Sequence, residues 1–259
     1  MQNIIAVDFD QAAASPQGIW LVGGPGQGGA CAVRAYALGP GKTEAGLQEC
    51  SVDRFCFVVE GSGNAALGQE SFALGRRAMV HIPAGAPHLI GNADVGQPLW
   101  LIDIFAAAPP QALFKPASAR AWPNAAQQIR AVRADAFTKG GFAYQSLAER
   151  ATGSQHLRVN FVEVQPGAGS PDYHIHEFDQ FYFILEGGMT VDIGKRRQLA
   201  AKHHFVHLPA GIVHRNYNAG SVPEVHFALL APEPAPGAIF DYAVDIHGRE
   251  AELLQRIPA

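Results

Sequence analysis

The stretch Asp172-Tyr173-His174-Ile175-His176-Glu177-Phe178-Asp179-Gln180-Phe181-Tyr182-Phe183-Ile184-Leu185-Glu186-Gly187 places two histidines and an amide on one face if it is extended. At strand periodicity His174, His176, Phe178, Gln180, Tyr182 and Ile184 share that face. On a helix, positions two apart do not face each other. The β-branched and aromatic content after Gln180 agrees with a strand. Glu186-Gly187-Gly188 then turns the chain, and Met189-Thr190-Val191-Asp192-Ile193 runs back as its partner. The pattern predicts a β-hairpin carrying a metal site.

Outward from this hairpin the chain repeats itself. Pro209-Ala210-Gly211-Ile212-Val213-His214-Arg215-Asn216-Tyr217-Asn218 follows, and 126 residues earlier stands Pro83-Ala84-Gly85-Ala86-Pro87-His88-Leu89-Ile90-Gly91-Asn92. The same offset joins His81 to His207, Glu60-Gly61 to Glu186-Gly187, Phe57 to Phe183, Asp53 to Asp179 and Pro40-Gly41 to Pro166-Gly167. A register kept over so many turn and core positions predicts two copies of one domain, without insertions inside either core. We expect an amino-terminal domain over residues 1–120 and a carboxy-terminal one over 121–259. Residues 1 to about 28 read as a glycine-rich lead-in. Gln127 to Phe137 is compatible with a short helix or an added strand. The tail from Arg249 to Ile257 has helical spacing.

Composition narrows the function. The chain has 259 residues, 16% of them charged, and a formal net charge of −4. No basic run marks a nucleic-acid surface. No uninterrupted apolar run is long enough for a membrane span, and the start lacks a signal-peptide pattern. Cys31, Cys50 and Cys56 have no zinc-type spacing and read as reduced thiols, which agrees with a cytoplasmic protein.

The motifs resemble the cupin family. Its first motif is a glycine, then HxH, then three or four residues, then Glu, then six residues and a glycine; its second is PxGxxHxxxN. The second half reads Gly169…His174-x-His176-xxx-Gln180-xxxxxx-Gly187, then Pro209-x-Gly211-xx-His214-xxx-Asn218. The first half keeps the second motif but reads Gln48-x-Cys50-xxx-Arg54-xxxxxx-Gly61 for the first. The resemblance covers both cores and implies an all-β bicupin: two tandem jelly-roll barrels, joined by a short helical or irregular linker.

By position, the resemblance assigns His174, His176, Gln180 and His214 as ligands of one divalent transition metal. Iron, manganese, nickel and zinc all suit such a set. Gln180 departs from the family's carboxylate. An amide donates no charge, so the full +2 would remain, favouring Lewis acidity and an anionic chelating substrate. The alternative is a decaying site that no longer binds metal. Tyr182, on the inner face, and His226, set against Trp100 of the first copy, are candidate catalytic or pocket residues, with core packing as the alternative for each. In the first copy an inward Arg54 would repel a cation, so no metal is expected there. Arg54 would instead bind an anion or stack on Trp100. Cys50 beside His88 is a weak candidate thiolate pair, and a scaffold role for this barrel is the plainer reading.

The expected function is a metal-dependent enzyme acting on a small organic molecule in the second barrel. A dioxygenase stands first, as the resemblance implies. The alternatives are a redox-neutral lyase, isomerase or hydrolase, and a non-catalytic small-molecule-binding cupin. The expected partner is the small-molecule substrate, without nucleic acid or membrane. Self-association into a homo-oligomer is compatible with the fold.

Overall fold

The computed structural model describes residues 3–24, 26–27, 29–106 and 111–246. The helical expectation for Arg249 to Ile257 lies outside them. The chain divides into two compact units: Ala6–Phe137 with Gln145–Val159, and Met1–Ile5 with Thr138–Tyr144 and Asn160–Ala259. No helix among the described residues is long and apolar enough to cross a membrane.

Each unit pairs a six-stranded sheet with a five-stranded one, as expected for two jelly-roll barrels. In the first, Arg54–Glu60 is central, between Met79–Ile82 and Leu99–Ala106, with Cys31–Leu38 beyond. Its five-stranded sheet includes Gln48–Cys50, His88–Asn92 and Gly63–Leu67. Val58, Val80 and Leu101 from one sheet meet Ala65, Leu67 and Ile90 from the other in a single core. In the second, Asp179–Glu186 lies between His204–Leu208 and Glu224–Ala231. Facing it, Gly169–Ile175, His214–Tyr217 and Gly188–Ile193 lie in one sheet. Strands buried on both faces read as continuous apolar runs, which is why Phe181-Tyr182-Phe183-Ile184-Leu185 shows little alternation.

The repeated motifs are repeated contacts. Asn92 Nδ2 donates to Leu38 O and Gln97 O, and Asn218 Nδ2 donates to Val164 O and Val222 O. Asp53 accepts from Ala84 N at 2.8 Å, and Asp179 from Ala210 N at 2.9 Å. His81 stacks on Phe55, and His207 on Phe181, each beside its aspartate. The shared histidine pair is therefore structural. Gly61 and Gly187 both have positive φ, and a Cβ on either would lie 2.6 Å from a proline carbonyl oxygen. Only glycine makes that turn without strain.

The exact repeat fails in the last strand. Cys56 pairs with Asp103, whereas Tyr182 pairs with Ala228, so the two positions are 125 residues apart rather than 126. The second copy's loop before this strand is one residue shorter. Since a slip of one residue moves a side chain to the opposite face, His226 takes the inward place of Leu101, not the place of Trp100. Trp100 stacks on Phe9 at 4.8 Å.

The lead-in is more structured than a glycine-rich run. Ile4–Ala6 adds a strand to the second unit's six-stranded sheet, and Phe9–Ala14 is a helix capped by Asp8. Ile19–Val22 joins the first unit's sheet. Gln127 to Phe137 holds two 3₁₀ turns, and Ile129–Arg130 is a two-residue strand beside Met79–Ile82.

Candidate metal centre

The structure brings His174, His176, Gln180 and His214 together at one end of the second barrel. His174 lies directly opposite His214 in the antiparallel ladder. His176 follows the same strand, and Gln180 opens Asp179–Glu186. All four side chains are buried. One ring nitrogen of each histidine lies within 4.8 Å of the other two.

The three rings are oriented by one device. Nδ1 of His174 faces Asp172 O at 2.8 Å, that of His176 faces Phe240 O at 2.9 Å, and that of His214 faces Ile212 O at 3.0 Å. A carbonyl oxygen only accepts, so each Nδ1 carries the proton and each Nε2 a lone pair. Two observations test whether a cation fits. His214 Nε2 is buried without a partner. His176 Nε2 lies 3.0 Å from Gln180 Oε1, so two acceptors face each other. Below the amide, the buried Tyr182 phenol donates to Asn216 Oδ1 at 3.3 Å. A shared proton would need an imidazolium, but burial pushes the His176 pKa down. A shared cation satisfies both lone pairs.

Burial also pushes His214 down to about 4, and His88 of the first barrel likewise to about 4. Between an ordinary imidazole value near 6.5 and that depressed value, the unfolded chain takes up protons that the folded chain refuses. Folding stability therefore falls as pH drops through this window. Each of the two histidines should cost metal-free protein about 3 kcal/mol between pH 7 and pH 4. Urea unfolding of the chelated protein at both pH values checks this. His88→Gln should flatten the profile by about half that total, and an unchanged profile would contradict the burial argument.

Phe178 stacks on His176 at 4.6 Å, as the strand pattern predicts for a water-excluding wall. Phe240 closes the same wall, 5.0 Å from Phe178, and its carbonyl fixes His176. It escapes a motif reading because it follows a proline-rich break. The repeat does not point to it either, because the register changes beyond the last strand: Gln48 pairs with Pro116 and His174 with Ala243, and these two partners stand 127 residues apart rather than 126.

Tyr182 is buried beneath Gln180, and burial keeps its phenol protonated. His226 sits deeper, at the level of Ile184, about 13 Å along the strand from Gln180 at ordinary strand rise. It touches the Tyr182 ring edge-on and pairs through Nδ1 with the buried Glu224 at 2.9 Å. Glu224 was not anticipated, although its place two residues before His226 puts both on one face.

The corresponding end of the first barrel holds Gln48, Cys50, Arg54 and His88. His88 keeps the second-motif orientation, with Nδ1 on Ala86 O at 2.9 Å. Burial pushes the Cys50 thiol up to about 11, which leaves it protonated and no nucleophile. The three cysteines are buried and take part in no disulfide. Arg54 does not stack on Trp100. It is fully buried, pairs with Asp103 and Glu44 at 2.8 Å each, and lies over the Phe114 ring. Arg34 joins this network through Asp103 at 2.7 Å. Sequence reasoning missed Arg34, Glu44 and Asp103.

A family model for the cupin domain matches residues 160–230. No curated protein matches the chain by sequence. Among solved structures, salicylate 1,2-dioxygenase from Pseudaminobacter salicylatoxidans superposes with a TM-score of 0.67 at 17% identity, covering 83% of this chain and 76% of that one. A structure of the same enzyme in adducts with gentisate gives 0.63 at 16% identity, covering 78% and 68%. AerE from Microcystis aeruginosa gives 0.60 at 13% identity, covering 79% and 89%. At these identities the likeness concerns the fold.

Proposed function

The chain is a bicupin of the cupin superfamily, and from that premise we propose that its second barrel is the site of a metal-dependent enzyme, a dioxygenase acting on a small anionic chelating molecule. The observation that carries the reading is the set of three buried imidazoles, each tied by Nδ1–H to a backbone carbonyl and presenting Nε2 inward. A divalent transition metal held by His174, His176 and His214, with Gln180 Oε1 as a fourth donor, would supply Lewis acidity and, for a redox-active ion, dioxygen chemistry.

The chain's own groups do the rest. Four neutral donors bring no charge to the cation, and the half-exposed Asp241, 3.3 Å from His176 Nδ1, offsets it only from outside the ligand set, so the site favours an anion. Phe178 and Phe240 give the substrate an apolar wall and keep water out. Tyr182 is a positioning residue: its protonated hydroxyl donates to Asn216 of the facing sheet and packs the floor beneath Gln180, and His226 with Glu224 supports its ring from below. The likeness to a salicylate 1,2-dioxygenase crystallised with gentisate supports aromatic hydroxy acids as the first substrates to try. The neutral donor Gln180 favours a second reading, redox-neutral Lewis-acid chemistry on the same class of substrate.

Oxygen uptake by native protein of known metal content, with hydroxy acids, diketones and diphenols, tests the proposal. One dioxygen consumed per product formed is the expected result. Turnover without uptake selects the redox-neutral reading, and neither turnover nor stoichiometric metal would refute both. Gln180→Leu should keep the three imidazoles yet weaken metal retention roughly 10–100-fold in chelator competition. Unchanged retention would remove Gln180 from the ligand set.

A further inference from the structure

We propose that the first barrel holds a second, metal-independent binding site, for a small aromatic monocarboxylate. It stands independently of the function proposed for the second barrel. A cavity of about 380 Å³ opens into this barrel, with Trp20, Arg34, Tyr36, Gln48 and Phe114 in its wall. That volume lies within the ordinary range for small-molecule sites.

Arg34 supplies the recognition. It is nearly fully buried, and its guanidinium lies 4.6 Å from the Tyr36 ring centroid, 5.5 Å from Phe114 and 5.7 Å from Trp20. Its Nε and Nη2 donate to Asp103 Oδ2 at 2.9 and 2.7 Å, and its Nη1 donates to Gln17 O at 3.0 Å. A guanidinium has five N–H donors, so two remain for a ligand. A carboxylate matches such donors, and the surrounding rings offer faces for an aromatic body.

The layer behind Phe114 is unsatisfied as well. Arg54 Nη1 and His88 Nε2 are buried and have no partner. Arg54 lies 5.4 Å from the Phe114 centroid and the His88 ring 6.2 Å from it. Arg54 Nη1 is a buried donor and His88 Nε2, whose Nδ1 holds the proton on Ala86 O, a buried acceptor; such unpartnered groups are costly and mark sites of function.

Charge selects a monoanion. Glu44 also lines the cavity, but its Oε1 pairs with Arg54 at 2.8 Å and its Oε2 accepts from Ile90 N at 2.8 Å. Arg34 and Arg54 balance Asp103 and Glu44. The cluster is neutral overall, so a single carboxylate is held by the two spare Arg34 donors, whereas a second would find no donor pair of its own. Tyr36, pushed up to about 12 by burial and by Glu44, stays protonated and adds a hydroxyl donor to the wall.

The test is titration of the native protein with benzoate, using benzamide as the uncharged isostere, followed by calorimetry and tryptophan fluorescence. The expected result is one saturable benzoate per chain, with benzamide at least about tenfold weaker. Ala112→Trp, at the exposed rim of the cavity, should weaken benzoate about tenfold or more without changing the circular dichroism melt. Ala45→Trp, on the same lining, serves if that variant misfolds. His176→Ala should leave the affinity within about twofold. Absence of saturable binding would overturn the proposal. So would binding kept by both rim variants and lost in His176→Ala, since that result places the benzoate in the second barrel.

Discussion

Replacing His176 by alanine is expected to strip the metal from the protein. Structural metal sites with four protein ligands bind with roughly 10–16 kcal/mol, so each donor is worth about 3 kcal/mol, or about two decades of affinity. His176 carries more than one ligand's share here. Its ring is fixed between the Phe240 carbonyl and the Gln180 amide, and Phe178 stacks on it. Its loss removes a donor and loosens Gln180. Metal per chain, measured by elemental analysis after dialysis, should fall below about a tenth of the wild-type value. His88→Ala is the control, because that ring belongs to the barrel where Gln48, Cys50 and Arg54 replace the other ligands. Equal metal content in His176→Ala and wild type would remove the centre, and the function built on it, from consideration.

The second large effect is expected from Asp103→Asn. The carboxylate accepts Nε and Nη2 of Arg34 on one side and Nε and Nη2 of Arg54 on the other. Burial acts to raise its pKa, but Arg54 and Arg34 outweigh burial and hold it below the ordinary carboxylate range. That stability is present above the unfolded-state pKa and is lost as pH falls through the folded one, so the substitution matters most near neutrality. Asparagine keeps the volume and removes the charge, leaving two buried guanidinium groups against Glu44 alone. Breaking a buried ion pair from one side costs about 3–5 kcal/mol. Urea unfolding at pH 7 should record a loss of that size. A loss under about 1 kcal/mol would mean that the arginines are hydrated in solution.

Much of this was legible in the sequence because it is periodic. Alternation put His174, His176 and Gln180 on one face, and the repeat of Pro-x-Gly-xx-His-xxx-Asn gave His214 its place. The repeat also matched His81 with His207 and Asp53 with Asp179, and the structure showed each histidine beside its aspartate. What was not legible depends on distance along the chain or on a single residue of length. Arg34, Glu44, Arg54 and Asp103 come from four separate stretches, and nothing local says that their charges meet. One residue missing from a loop turned His226 inward to the position of Leu101.

The sequence by itself determined which residues can be ligands, since a strand's period of two fixes the face each side chain takes. Only the tertiary structure decided which nitrogen each ligand presents. A ring's tautomer is set by the hydrogen bond on its far side. For His176 that bond comes from the Phe240 carbonyl, 64 residues away, which only the folded chain brings within reach.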